Sequence, residues 1–77
     1  MNDLKEQAYR HVAWVLGDHV NGYQPGGFTT ALLSAWERAD PQNNAKLCQA
    51  FPELGEAISI AKSYGTATLV KILKEQA

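Results

Sequence analysis

The sequence predicts an all-α domain, a compact bundle of four to five short helices spanning residues 1–77. Three observations predict it. Apolar residues recur every three or four positions. Runs of alternating or β-branched residues that would mark strands are almost missing. Capping and breaking residues punctuate the chain at short intervals.

The first helix is expected from about Asp3 to Val20. Asn2 is placed to cap it, and Asp3 and Glu6 suit the positive end of its dipole. Leu4, Ala8, Val12, Val15, Leu16 and His19 form its inner stripe, and Asn21-Gly22 is the expected stop. A turn at Pro25-Gly26 leads to a second helix from about Phe28 to Ala39, with Phe28, Ala31, Leu32, Ala35, Trp36 and Ala39 on one face. Asp40-Pro41 is the clearest local signal, a good N-cap followed by the residue best suited to the first helical position. It opens a third helix running to about Phe51, which buries Leu47, Cys48 and Phe51. Pro52 starts a fourth from about Glu53 to Ser63, presenting Leu54, Ala57, Ile58 and Ala61. Tyr64-Gly65 stops it, Thr66 caps the fifth, and Leu69, Ile72 and Leu73 face inward there.

Composition narrows the class of protein. Seven basic and eight acidic residues give a net charge of −1, and 45% of residues are hydrophobic. That balance argues against disorder and against a polybasic nucleic-acid binder. A single cysteine excludes an intrachain disulfide framework and a cysteine-based zinc site. No apolar run reaches the roughly 18 residues that span a bilayer. The polar start MNDLKEQAYR is unlike a signal peptide. The expectation is a cytoplasmic domain. With 19 large aliphatic, Phe or Trp residues in 77, its core is small, and self-association would supplement it.

Five large residues fall off the expected stripes: Tyr9, Trp14, Leu33, Ile60 and Val70. Leu33, for example, lies roughly 100° or more around its helix from Phe28 and Leu32. Either each short helix buries two faces, or these residues form an interface. The second option makes them the candidate interface of a homo-oligomer, with a dimer the default by frequency.

Tyr23-Gln24-Pro25-Gly26-Gly27-Phe28-Thr29-Thr30 is the candidate ligand site. Free amides at a helix start, two glycines and two hydroxyls suit an anion, and Tyr23 or Phe28 can stack on a base. The pattern lacks the lysine of a phosphate-binding P-loop and the preceding strand of a dinucleotide fingerprint. A plain Pro-Gly turn explains the same residues. In an oligomer, Arg10, His11, Trp14 or Arg38 of a neighbouring copy would complete the pocket.

Other chemistry is poorly served. His11 and His19 are eight residues apart, roughly 12 Å along a helix, too far for one metal ion. Cys48 reads as a small core residue, since nothing brings a histidine to it. Glu53 and Glu56 read as a solvated first turn. No catalytic residue, metal or cofactor is assigned, and the chain is not read as an enzyme. Lys5, Arg10, Arg38, Lys46, Lys62, Lys71 and Lys74 are scattered, which disfavours phosphate-backbone binding. Residues 28–51 nevertheless imitate a helix-turn-helix, with Gln42, Asn43 and Asn44 as amides able to read bases.

The stretches Gly26-Gly27-Phe28-Thr29-Thr30-Ala31-Leu32-Leu33, Ala39-Asp40-Pro41-Gln42-Asn43-Asn44 and Phe51-Pro52-Glu53-Leu54 together resemble small uncharacterised proteins of bacteriophages and prophages. The resemblance covers residues 26–54 and brings no activity and no functional residues. It implies a setting, the host cytoplasm, and a genre, inhibitors of host machinery or host defence. The leading expectation is thus a non-enzymatic, counter-defence binding protein. It either sequesters an anionic, nucleotide-like ligand or blocks a host protein through a helical surface. A DNA-associated transcriptional module and a virion accessory protein are the alternatives.

Overall fold

A computed structural model describes residues 1–76 as five helices. These are α1 (Asp3–Val15), α2 (Gly27–Glu37), α3 (Pro41–Ala50), α4 (Pro52–Tyr64) and α5 (Thr66–Gln76). No strand occurs among the described residues.

The local signals act as their chemistry requires. The Asn2 side chain accepts from the Lys5 amide at 2.8 Å, and Asp40 accepts from the Asn43 amide at 2.7 Å with Pro41 in the first turn. Each replaces a bond that an isolated helix start leaves unmade, a contribution of about 1 kcal/mol. Gly65, at φ +95°, lets the chain leave α4 and enter α5 without a connecting loop.

α1 ends five residues earlier than the expected Val20. Gly17 adopts φ +108°, its amide bonds back to the Trp14 carbonyl, and the Asp18 amide bonds to that of Ala13. This paired closure is a Schellman motif, with Gly17 supplying the left-handed residue. Gly22 has another role. The chain turns back across α1 so closely that a Cβ at Gly22 would collide with the backbone of Trp14 and Asp18.

α4 is the central helix and packs on α1, α3 and α5, while α1 and α5 also pack on each other. α2 rests on α1 along a short stretch. The core comprises Ala8, Tyr9, Val12, Ala13, Leu33, Trp36, Ala57, Leu69, Val70 and Leu73. Full burial of side chains such as Leu69 and Leu73 contributes roughly 2 kcal/mol each. The small residues Ala13, Ala57 and Gly55 let the helices approach closely. At Gly55 a Cβ would press on Cys48, so α3 and α4 touch there with no room for a side chain.

Two polar clamps fix the register. The Tyr9 hydroxyl donates to Glu56 at 2.8 Å, tying α1 to α4, and Lys5 pairs with the same carboxylate at 3.0 Å. The Trp36 indole N–H donates to Asn44 Oδ1 at 2.7 Å, tying α2 to α3.

The faces of two helices differ from the expected stripes. α1 buries Ala8, Tyr9, Val12 and Ala13 and leaves Leu4, Val15 and Leu16 exposed. Its buried arc is rotated by roughly 60° from the sequence-derived one, at about 100° per residue. The cause is that α1 lies between α4 and α5 and is covered from both. α2 buries Leu33 and Trp36, whereas Phe28 is 71% exposed and leans on Phe51 with ring centroids 6.2 Å apart.

Candidate functional site

The Gly26-Gly27 segment does begin a helix. Gly26 is the N-cap in extended backbone, and no side chain caps α2. Neither glycine has positive φ, and a Cβ at either would meet nothing within 4 Å. Thr30 turns its hydroxyl onto the Pro25 carbonyl at 3.4 Å.

The cationic and aromatic residues expected to complete this site are employed elsewhere. Arg10 donates to Glu6 at 2.9 Å and to the Asn21 carbonyl at 2.8 Å, and its guanidinium covers the Tyr23 ring at 4.6 Å. The Tyr23 amide donates to the Arg10 carbonyl at 3.1 Å. Arg10 and Tyr23 therefore splint the 16–26 connection onto α1 within one chain. Trp14 stacks on His19, with centroids 3.9 Å apart and planes at 21°. Asp18 ties the same connection from inside. It accepts from the Asn21 amide at 2.9 Å, the Asn21 side chain at 3.0 Å and the Val20 amide at 3.1 Å, bonds that hold its pKa below the usual value. Arg38 caps the far end of α2, roughly 16 Å from Gly27 for an 11-residue helix.

His11 and Thr29 do come together, in a hollow of about 280 Å³ that also includes Gln7, Phe51 and Glu53. Burial lowers the His11 pKa below 6.5, so at neutral pH it is uncharged. Glu53 adds a negative charge. Such a lining opposes an anion rather than attracting one.

The five residues expected as an interface are not an exposed patch. Tyr9, at 1% exposure, lies in the core with Leu33 and Val70, and Trp14 and Ile60 are half-buried. The reason is geometric: α1, α4 and α5, which carry four of the five, are each contacted by at least two neighbours, so two faces are covered, and Leu33 of α2 enters the same core cluster.

A different apolar surface is open. A groove of about 280 Å³ runs between the C-terminal ends of α1 and α2 and the second half of α4. Val12, Val15, Leu16, Leu33, Trp36, Ile58 and Ala61 line it, with Glu37, Lys62 and Thr66 among its polar residues. It exists because α1 stops at Val15. Val15 and Leu16, 44% and 50% exposed, stand at its edge where a longer helix would have continued. Sequence reasoning missed the groove because it placed both on an inner stripe. Gly17, directly after Leu16, was the signal that the helix ends there.

Other sequence candidates take structural roles. Asn44 accepts from Trp36 across the α2–α3 junction and Asn43 donates to Asp40, the N-cap of α3, so two of the three amides suggested for base reading are engaged within the fold. Cys48 packs against Gly55. No group of three His, Cys, Asp or Glu residues among those described is placed to hold a metal ion. Tyr9 is the most perturbed titrating group. Burial first, and then the hydrogen bond to Glu56 and its negative charge, push its pKa far up, so the phenol keeps its proton. Among the described residues, no helix is long and apolar enough to cross a membrane.

Comparison with protein families, with curated proteins and with solved structures found no match to this chain.

Proposed function

We propose that this chain is a non-enzymatic binding protein that acts by protein–protein contact, with the α1–α2–α4 groove as its working surface. The observation that carries this reading is the groove itself, an apolar floor opened by the early end of α1 and flanked by exposed Val15 and Leu16. An exposed apolar surface of this kind, rimmed by charged residues, is characteristic of docking sites. The resemblance over residues 26–54 supplies the setting, a phage-type inhibitor whose target is a host protein. Sequestration of an anionic ligand at Gly26-Gly27 is the weaker of the two modes, because Arg10 is engaged and His11 is neutral.

The test is affinity capture from cell extract by three purified proteins: the wild type, Leu16→Asp and Gly27→Trp. Circular dichroism controls for helicity. A discrete protein held by the wild type and by Gly27→Trp, but lost with Leu16→Asp, is the expected result. Retention of the same proteins by Leu16→Asp overturns the groove reading.

A further inference from the structure

Of the four asparagines in the chain, only Asn21 is followed by glycine. An Asn-Gly pair is chemically unstable in an unfolded chain, because glycine has no side chain to shield its amide nitrogen from the asparagine side chain. That nitrogen, once hydroxide has taken its proton, attacks Asn21 Cγ. The N–Cγ bond forms, the Cγ–Nδ2 bond breaks, and Nδ2 leaves as ammonia after taking a proton from water. Water then opens the resulting succinimide at either carbonyl. The product is aspartate, or isoaspartate with the main chain rerouted through Cβ. Nothing is oxidised or reduced.

In the folded chain every participant is tied down, and mostly by one residue. The Gly22 amide donates to the Asp18 carbonyl at 3.0 Å. Asn21 Nδ2 donates to Asp18 Oδ2 at 3.0 Å, and the Asn21 amide donates to Asp18 Oδ1 at 2.9 Å. The Asn21 carbonyl accepts from the Arg10 guanidinium at 2.8 Å. Gly22 is buried, and its backbone lies against that of Trp14 with no room for a Cβ. Ring closure requires the Gly22 nitrogen and the Asn21 side chain to turn toward each other, so both must first leave Asp18. The Asp18 carboxylate also opposes the negative charge that the nitrogen takes on.

We propose that Asn21 is a self-modification site that Asp18 holds shut, its succinimide forming only when the 16–26 connection lifts from α1. The change runs one way. Aspartate at this position lacks the Nδ2 donor and sets a second carboxylate against that of Asp18. Isoaspartate adds a main-chain carbon beside Gly22, where the backbone has no space to spare. Either product opposes reclosure. Asn21 thereby turns a passing local opening, of the kind native proteins undergo, into a permanent one.

The experiment incubates the wild type in mildly alkaline buffer when folded, in urea below its unfolding transition, and fully unfolded in urea. Peptide mass spectrometry reads the mass gain of an amide turned acid at Asn21, and chromatography separates the isoaspartate form. The folded protein should convert at least about tenfold more slowly than the unfolded chain. Dilute urea should change the folded rate little, since a local opening exposes little surface. Asp18→Ala, with helicity confirmed by circular dichroism, should convert about tenfold faster than the wild type or more, because hydrogen bonds to a charged group are among the strongest. Asn21→Asp should melt at a lower temperature than the wild type. Equal rates in folded and unfolded wild type overturn the inference. So does a rate in dilute urea that tracks unfolding of the whole domain, a folded Asp18→Ala that converts no faster, or an Asn21→Asp protein with an unchanged midpoint. If Asp18→Ala does not fold, the dilute-urea series on the wild type decides the matter without it.

Discussion

The α1–α4–α5 half of the molecule and the α2–α3 half are built differently. In the first, three helices cover one another and bury Tyr9, Val12, Ala13, Ala57, Leu69, Val70 and Leu73. In the second, α3 buries no residue fully, α2 buries two, and the junction between them depends on one indole–amide hydrogen bond. The first half carries most of the hydrophobic stabilisation. The second supplies one side of an open groove. An incompletely covered element is the place where a small domain has apolar surface left for a partner.

The contrast is broken most directly by a cavity. Leu69→Ala removes a fully buried side chain among α1, α4 and α5, and should cost about 2–5 kcal/mol. In a domain of this size that approaches the whole stability. Leu47→Ala, in half-buried α3, should cost about 1 kcal/mol. Urea unfolding followed by circular dichroism compares the two, and equal losses would mean that α3 is as integral as α5.

Glycines sharpen the comparison. Gly22→Ala forces a methyl into the α1 backbone and should cost at least about 2 kcal/mol. Gly27→Ala meets open space at an ordinary φ and replaces the poorest helix former but proline. It should stabilise by up to about 1 kcal/mol, read as a higher thermal midpoint. A destabilised Gly27→Ala would indicate that the α2 start is less free than it looks.

The smallest effect is on pH dependence. Burial lowers the His11 pKa, so the unfolded chain takes up a proton before the folded one does. Stability should therefore fall as pH drops below about 6.5, and His11→Gln should flatten that part of the curve. At lower pH, Glu56 and Asp18 add to the loss in the same direction, since each has a folded pKa below its ordinary value. For Glu56 burial works the other way, but the hydrogen bonds from Tyr9 and Lys5 outweigh it. At the alkaline end, the unfolded tyrosine ionises near 10 while buried Tyr9 holds its proton, so stability should decline above about pH 10. Midpoints of urea unfolding across the pH range check all three limits.

Much of the site lay outside the reach of the sequence. The Gly26-Gly27 start was legible as a helix N-terminus, yet its expected partners were not: Arg10 is spent on Glu6, Asn21 and Tyr23, contacts spanning up to 13 positions. The groove was hidden because Val15 and Leu16 have the same period and chemistry as buried residues. Only the absence of a covering helix makes them surface.

What the sequence by itself determined is local. The helical class follows from a 3.6-residue period, and Asn2, Asp40-Pro41, Pro52 and Gly65 set helix boundaries through bonds and dihedrals reaching no more than a turn away. Tertiary structure decided which face of each helix is inside. A helix covered by two neighbours buries an arc centred between them, and the direction of those neighbours is not encoded in its own period. For that reason Tyr9 and Val70 are core, while on the lightly covered α2 Leu33 is buried and Phe28 is surface, and the apolar residues at the end of α1 are the edge of a groove.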